Sequence, residues 1–346
     1  MKDIGLITDI PFWRKGLGQY ERIQALVHYL AQHAKLTIYY VGTWTEEFSK
    51  FAVQVATVAQ CVYCPQNQSS QLASYFHAAH HDKIIVEYLY LHPLCSLIPP
   101  TTDRILDAHD ILSHRASSFK HYGRQAPIEV TEEVEFQLFG KFHQVMFIQA
   151  DEYALGVEKL GEKHCLLCPH PVIAVEKKLQ ANVKTIGFLG SAGVMNQDGL
   201  IWFHDHVLPL LEPQYAVEIY GTICYEQTVI QRCPNLHFMG TVAELPQFYQ
   251  KIDIVMCPIL YGAGLKIKCV EALAYGVPLV TTSVGAQGLM SHANQAFLLA
   301  DDIEQFANSL HQLAYSLQLR QQLSHYAHQL IRTEFTSDAC FSALVY

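Results

Sequence analysis

Tyr261-Gly-Ala-Gly-Leu-Lys-Ile-Lys-Cys-Val-Glu-Ala-Leu-Ala-Tyr-Gly-Val-Pro-Leu-Val280 carries the densest physical instruction in this sequence. Gly262 and Gly264 open a turn whose backbone can approach a ligand closely. A helix follows, and Gly276-Val-Pro278 stops it before a strand at 278–281. The amino end of such a helix offers free N–H groups and the positive end of its dipole, with Lys266 and Lys268 adding charge beside it. Together these predict a diphosphate-binding site. Glu271 lies about two turns into the helix. A carboxylate there cannot favour a phosphate, but it can accept hydrogen bonds from vicinal hydroxyls such as those of a ribose.

Outward from this segment, strand-like and helix-like runs alternate almost throughout, which predicts parallel sheets covered by helices. In the first half, strands are expected at 4–10, 36–41, 52–58, 83–86, 104–106 and 144–148. One helix should carry Ile23, Leu26, Val27, Leu30 and Ala34 on one face, and another should contain Val134, Leu138 and Phe142. Residues 169–182 break the pattern with Pro-His-Pro, Glu176-Lys-Lys178 and Gln180-Ala-Asn182. The alternation restarts with strands at 185–190, 216–220, 236–239, 254–257 and 278–281, and helices from 303 to 335 close the chain. The expected fold is α/β, with two Rossmann-like domains at 1–168 and 184–328 joined by a linker at 169–183. A last helix at 335–346 is expected to pack back on the first domain. Two such domains facing each other place a ligand site in the cleft between them, at the carboxyl ends of the strands.

Composition agrees with that size and class. The 346 residues suffice for two domains, and with 50% hydrophobic and 16% charged residues extensive disorder is excluded. A net charge of −9 argues against a nucleic-acid partner. No apolar window reaches the roughly 18 residues of a membrane span, and the short strand before Pro11 does not read as a signal peptide. The expected location is cytoplasmic, with peripheral contact at the inner face of the membrane. The ten cysteines are then expected to be reduced. Cys61-Val-Tyr-Cys64 and Cys165-Leu-Leu-Cys168, the second pair flanked by His164 and His170, lie roughly 100 residues apart in apolar runs. They read as buried strands rather than a zinc site. His204-Asp-His206 reads as helix surface. Arg115, Lys120, His121 and Arg124 form a basic stretch that suits either a solvated loop or an anionic acceptor or headgroup.

Residues 261–280 resemble the nucleotide-sugar motif of the group 1 retaining glycosyltransferases (glycosyltransferase family 4-like), enzymes of the GT-B fold. Phe188-Leu-Gly190-Ser191, Asn196-Gln-Asp198, Trp202-Phe203 and Val207-Leu-Pro209 resemble the opening of that family's donor domain. Tyr220-Gly221-Thr222 and Phe238-Met-Gly-Thr-Val242 with Leu245 resemble its base-binding loops. Asp253 to Pro258 precedes the glycine turn and Ser283 to Leu289 follows it, so the likeness covers 184–290. In the first half, Gly16-Leu-Gly18 with Gln19 and Arg22 stands where the family keeps a glycine loop near the donor phosphates. Glu87-Tyr-Leu-Tyr-Leu91 and Asp107-Ala-His109-Asp110-Ile-Leu-Ser-His-Arg115 resemble its acceptor-facing strand ends.

The resemblance implies catalytic roles for His109, Lys266 and Glu271. It implies donor contacts at Gly16, Gly18, Gly190, Ser191, Gly221, Thr222, Val242, Leu245, Gly262, Ala263, Gly264, Leu265, Lys266, Lys268 and Glu271. Glu87, Asp107, Asp110 and Arg115 fall on the acceptor side. The implied reaction is sugar transfer, with retention, from a nucleotide diphosphate-sugar to a glycan, lipid-linked or protein acceptor, in bacterial cell-surface glycan synthesis. A uridine nucleotide is favoured over guanosine. No cofactor is required, and no metal is implied: the sequence has no Asp-x-Asp pair, and lysines at a helix terminus can neutralise the leaving group. Many family members carry two glutamates eight positions apart, whereas here Ala263 stands eight before Glu271. That departure keeps two alternatives open, a non-catalytic glycosyltransferase-like subunit and a nucleotide-sugar epimerase of the same architecture.

Overall fold

The computed structural model describes residues 1–65 and 67–346. The chain forms two compact units. Unit 1 comprises 1–114, 127–171 and 337–346, and unit 2 comprises 115–126 and 172–336.

Unit 1 is built on β1 (Asp3–Thr8), β2 (Lys35–Tyr40), β3 (Ala59–Tyr63), β4 (Lys83–Glu87), β5 (Asp103–Asp107), β6 (Gln144–Phe147) and β7 (Cys165–Leu167). All neighbours are parallel, in the order β3-β2-β1-β4-β5-β6-β7. Helices cover both faces, so the central strands read as continuous apolar runs; Ile4, Leu6 and Ile7 of β1 are all fully buried. The helix Gly18–His33 crosses from β1 to β2 and buries Ile23, Leu26 and Leu30. Strand order reverses between β1 and β4, and the crevice outside their carboxyl ends is therefore flanked by the Gly16–Gly18 loop and by Glu87. Residues 337–346 belong to this unit: Lys83 Nζ donates to the Leu344 carbonyl at 2.8 Å, and Phe341 shares a core with Ile4 and Ile23.

Unit 2 repeats the plan with β8 (Thr185–Leu189), β9 (Ala216–Tyr220), β10 (His237–Gly240), β11 (Ile254–Cys257), β12 (Leu279–Thr281) and β13 (Leu298–Leu299), in the order β10-β9-β8-β11-β12-β13. Its switch point lies between β8 and β11. The polar stretch that precedes β8 is fastened to this unit. Arg320 donates to the carbonyls of Gln180 and Ala181, and Lys177 donates to those of Tyr249 and Ile252. Burial pushes the Lys177 ammonium down to about 8.

Two local expectations need correction. Residues 52–58 are not a strand: a helix runs Glu46–Val55 and the strand follows at Ala59–Tyr63. Thr45 caps that helix by accepting from the Phe48 N–H, and Glu46 and Glu47 suit its positive end. Val53 is 78% exposed, so its place in an alternating pattern did not signal burial. His204, Asp205 and His206 lie on a π-helical turn, Phe203–Val207, with His206 exposed and the half-buried Asp205 paired to His204 Nδ1 (2.9 Å) and Arg232 (2.6 Å), in keeping with helix surface. The basic stretch divides as well, since Arg124 forks onto Asp198 at 2.6 and 2.9 Å.

Cys61 and Cys165 lie on opposite edge strands, six strand spacings of about 4.8 Å apart, so the two CxxC pairs cannot share one ion. All ten cysteines are free thiols. Among the described residues no helix is long and apolar enough to cross a membrane.

Candidate functional site

In unit 2 the chain leaves β11, turns through Gly262 (φ 128°) and Gly264 (φ 75°), and enters the helix Ile267–Ala274. Those angles are closed to most L-residues, and a Cβ at Gly262 would lie 2.5 Å from Met195 Sδ. Residues 115–126 seat this turn. Ser118 Oγ accepts from the Gly262 N–H at 2.9 Å, Tyr122 stacks on Tyr261, and the Tyr261 hydroxyl donates to Asp198. Lys266 folds back inside the turn, its Nζ donating to the carbonyls of Ala263 (3.2 Å) and Gly264 (2.8 Å) and to Gln287 Oε1 (2.9 Å).

Lys268 points elsewhere. Its Nζ donates to Asn196 Oδ1 at 2.7 Å and lies 4.4 Å from the Phe188 ring centroid, and burial pushes its pKa down. Asn196 in turn donates to the carbonyl and hydroxyl of Ser191, so Lys268 braces the loop that follows β8. Glu271 is buried, and Tyr249, stacked on Tyr275, donates to its Oε2 at 2.8 Å.

The ends of β8 and β9 meet closely beside this turn. A Cβ at Gly221 (φ 99°) would lie 2.2 Å from the Gly190 carbonyl oxygen, and Thr222 Oγ1 accepts from the Ala192 N–H at 3.0 Å. Val242 and Leu245, half-buried, follow β10. The carboxyl ends of the adjacent strands β9, β8 and β11 thus gather Gly190, Ser191, Gly221, Thr222 and the turn through Gly262, Ala263, Gly264, Leu265 and Lys266.

A second cluster lies in unit 1. Glu87 and Asp107 end neighbouring strands in register. The Asp107 carboxylate takes both arms of the Arg22 guanidinium, at 2.8 and 3.0 Å, and both side chains are fully buried. Arg22 also donates to the carbonyls of Cys168 and Pro169. His109 (φ 60°) places Nε2 2.7 Å from Glu87 Oε2 and 3.8 Å from Asp107 Oδ2. The Tyr88 ring covers the imidazole, centroids 3.9 Å apart and planes 10° from parallel. Tyr88 itself has φ 67° and ψ 140°, a strained setting for a bulky residue. Its hydroxyl donates to Gln19 beside the glycine loop.

Burial and the neighbouring Asp107 push the Glu87 carboxyl up, against the opposing pull of His109 and Arg22. Asp110 is buried next to His109, whereas Arg115 belongs to unit 2. Glu87, Asp107 and His109 offer three ligand atoms within 4.8 Å of one another. Both Asp107 oxygens are already engaged by a fixed guanidinium, so a divalent ion would have to settle beside a buried cation. The group fits an ion-pair network better than a metal centre. Tyr88, Ser118 and Tyr249 act here without a sequence signal, because each works through a tertiary contact that no local pattern encodes.

The pattern of the family described as glycosyl transferases, group 1, matches residues 183–315. The matched segment lies within unit 2, and that part of the chain is similar to this family. A 44.6 kDa protein of the cps region of Klebsiella pneumoniae is 24% identical over 222 residues, which are 59% of this chain and 55% of that one. The match therefore spans little more than half of the relative. Anabaena HepE, solved with UDP-glucose, superposes with a TM-score of 0.75 at 15% identity, over 99% of this chain and 98% of its own. S. aureus TarM, solved with UDP and α-GlcNAc-glycerol, gives 0.75 at 9% identity over the same shares. A glycosyltransferase of Rickettsia africae gives 0.72 at 12% identity, over 98% and 96%. At these identities the likeness establishes the fold, which is GT-B.

Proposed function

We propose that the protein transfers a sugar, with retention, from a UDP-sugar to a hydroxyl of a glycan or lipid-linked acceptor in cell-surface glycan synthesis. The observation that carries this reading is the glycine turn of unit 2, with Lys266 inside it and a buried Glu271 little more than one helical turn on. The turn amides would hold the diphosphate, Lys266 would exchange its bond to Gln287 for one to a phosphate oxygen, and Glu271 would accept from the ribose hydroxyls. As the bond from the anomeric carbon to the diphosphate breaks, its electron pair passes to the leaving oxygen. Lys266 and the helix end stabilise that charge. Val242 and Leu245 suit the flat base. That the solved relatives HepE and TarM carry UDP supports uridine as the base.

In this reading His109, fixed by Glu87 and Tyr88, orients the sugar or the incoming hydroxyl, and the Gly16–Gly18 loop contributes to phosphate binding. Calorimetric titration with UDP tests the proposal. Glu271→Gln keeps an acceptor for Tyr249 but loses the charge, and UDP affinity should fall by about 1–3 kcal/mol. Transfer should persist in EDTA. Unchanged UDP affinity in Glu271→Gln would remove the ribose role, and reversible loss of activity on chelation would assign the leaving group to a metal.

A further inference from the structure

Unit 1 holds a cavity of about 640 Å³ whose walls include His92, Cys95, Ser96, Arg104 and Lys141. No carboxylate is among its described lining residues. Two cationic side chains, Arg104 and Lys141, thus share one cavity without an acid, in a chain whose net charge is −9. Arg104 is half-buried, and its Nε is buried without a hydrogen-bond partner. Neither Arg104 nor Lys141 makes an ion pair among the described residues. His92 holds the Leu89 carbonyl through Nδ1 at 3.2 Å, which leaves Nε2 to meet a ligand.

The Arg104 backbone is pinned from both sides by His143. His143 Nδ1 accepts from the Arg104 N–H at 2.9 Å, and the His143 N–H donates to the Arg104 carbonyl at 2.8 Å. The guanidinium therefore springs from a fixed base. Arg104 stands near the start of β5 and Asp107 at its end, about 10 Å along the strand. The cavity is thus separate from the cluster around His109.

We propose that this cavity is a second ligand site, which binds the phosphate group of a small phosphorylated molecule or of a lipid headgroup. A guanidinium fork and an ammonium supply the donors that phosphate oxygens accept from, and the His92 Nε2 can accept from a hydroxyl of the ligand. The volume lies in the range of organic-ligand pockets and exceeds what a bare ion fills. Pro93 and Cys95 give an apolar wall for the carbon portion. An anion there relieves the mutual repulsion of Arg104 and Lys141 and gives the buried Nε–H a partner. The site does not depend on the donor reading above.

The test measures binding to the full chain of inorganic phosphate, of glucose 6-phosphate, and of phosphatidylglycerol vesicles against phosphatidylcholine vesicles. Wild type is compared with Arg104→Gln and Lys141→Gln, and UDP binding is measured in parallel. The expected result is saturable binding of at least one phosphate carrier, weakened about 10-fold or more by each substitution, with UDP affinity unchanged in both variants. Binding confined to anionic vesicles identifies a headgroup, and binding of the soluble esters identifies a metabolite. Lys141 is exposed, so its variant tests the site even if Arg104→Gln fails to fold. Absence of saturable binding by every probe, or binding indifferent to both substitutions, overturns the proposal.

Discussion

His109 is the residue on which the proposed chemistry turns, and its setting shows how much of its behaviour belongs to its neighbours. Glu87 holds one nitrogen and Tyr88 covers the ring face, so the imidazole has little freedom to rotate. His109→Ala should lower kcat by about 100-fold, the scale of a positioned polar group, while UDP affinity changes far less. Tyr88 is a positioning residue in this arrangement. Tyr88→Leu removes the flat partner and should lower kcat several-fold or more, about 1–2 kcal/mol, at unchanged donor KM, whereas Tyr88→Phe keeps the stack and should restore most of the loss. A Tyr88→Phe enzyme as slow as Tyr88→Leu would mean that the hydroxyl on Gln19, not the ring, does the positioning. His109 could be singled out in the sequence because it sits between two aspartates after a strand. Tyr88 could not, since its backbone setting and its stack exist only once β4 and β5 are paired.

At the level of elements, the glycine turn and most of the strands are legible in the sequence, β3 and β13 being the exceptions. Gly221 and Gly262 mark places where one backbone must pass close to another group, and both positions lie in motifs that stand out in the sequence. Gly221→Ala would drive a Cβ to 2.2 Å from a carbonyl oxygen at φ 99°. A loss of about 2 kcal/mol or more is expected in denaturant titration. A variant of wild-type stability would show that the loops after β8 and β9 are pliable. The helix Glu46–Val55 was misread for a physical reason: β-branched residues suggested a strand, but a Thr cap and two acidic residues in the first turn favour the helix. Lys268 shows the limit of reading charge by proximity in sequence. It stands two residues from Lys266, yet it is drawn to Asn196 and the Phe188 ring.

For the whole molecule, His170 links the buried network of unit 1 to acid stability. Burial, aided by the charge on Arg22, pushes its imidazole down to about 3, against an ordinary value of 6.5. The unfolded chain takes up that proton near 6.5, and the folded one resists until about 3. Between those values the unfolded state binds more protons, so stability falls as the pH drops through this window. His170→Leu should therefore show a flatter fall of Tm between pH 6.5 and 4 than the wild type, whatever its absolute Tm. Parallel curves would mean that His170 is protonated in the fold. The two-unit plan could be read from the break at 169–182, but the assignment of 115–126 to unit 2 could not, because Ser118 and Phe119 gain their partners from residues more than a hundred positions later. The chain passes between the units at 114/115, 126/127, 171/172 and 336/337. A recombination event that exchanged everything beyond residue 171 would set a foreign glycine turn against the old Ser118, Phe119 and Tyr122. The glycine turn and a segment from the first half of the sequence are thereby inherited as a pair, and a working chimaera has to transplant 115–126 together with 172–336.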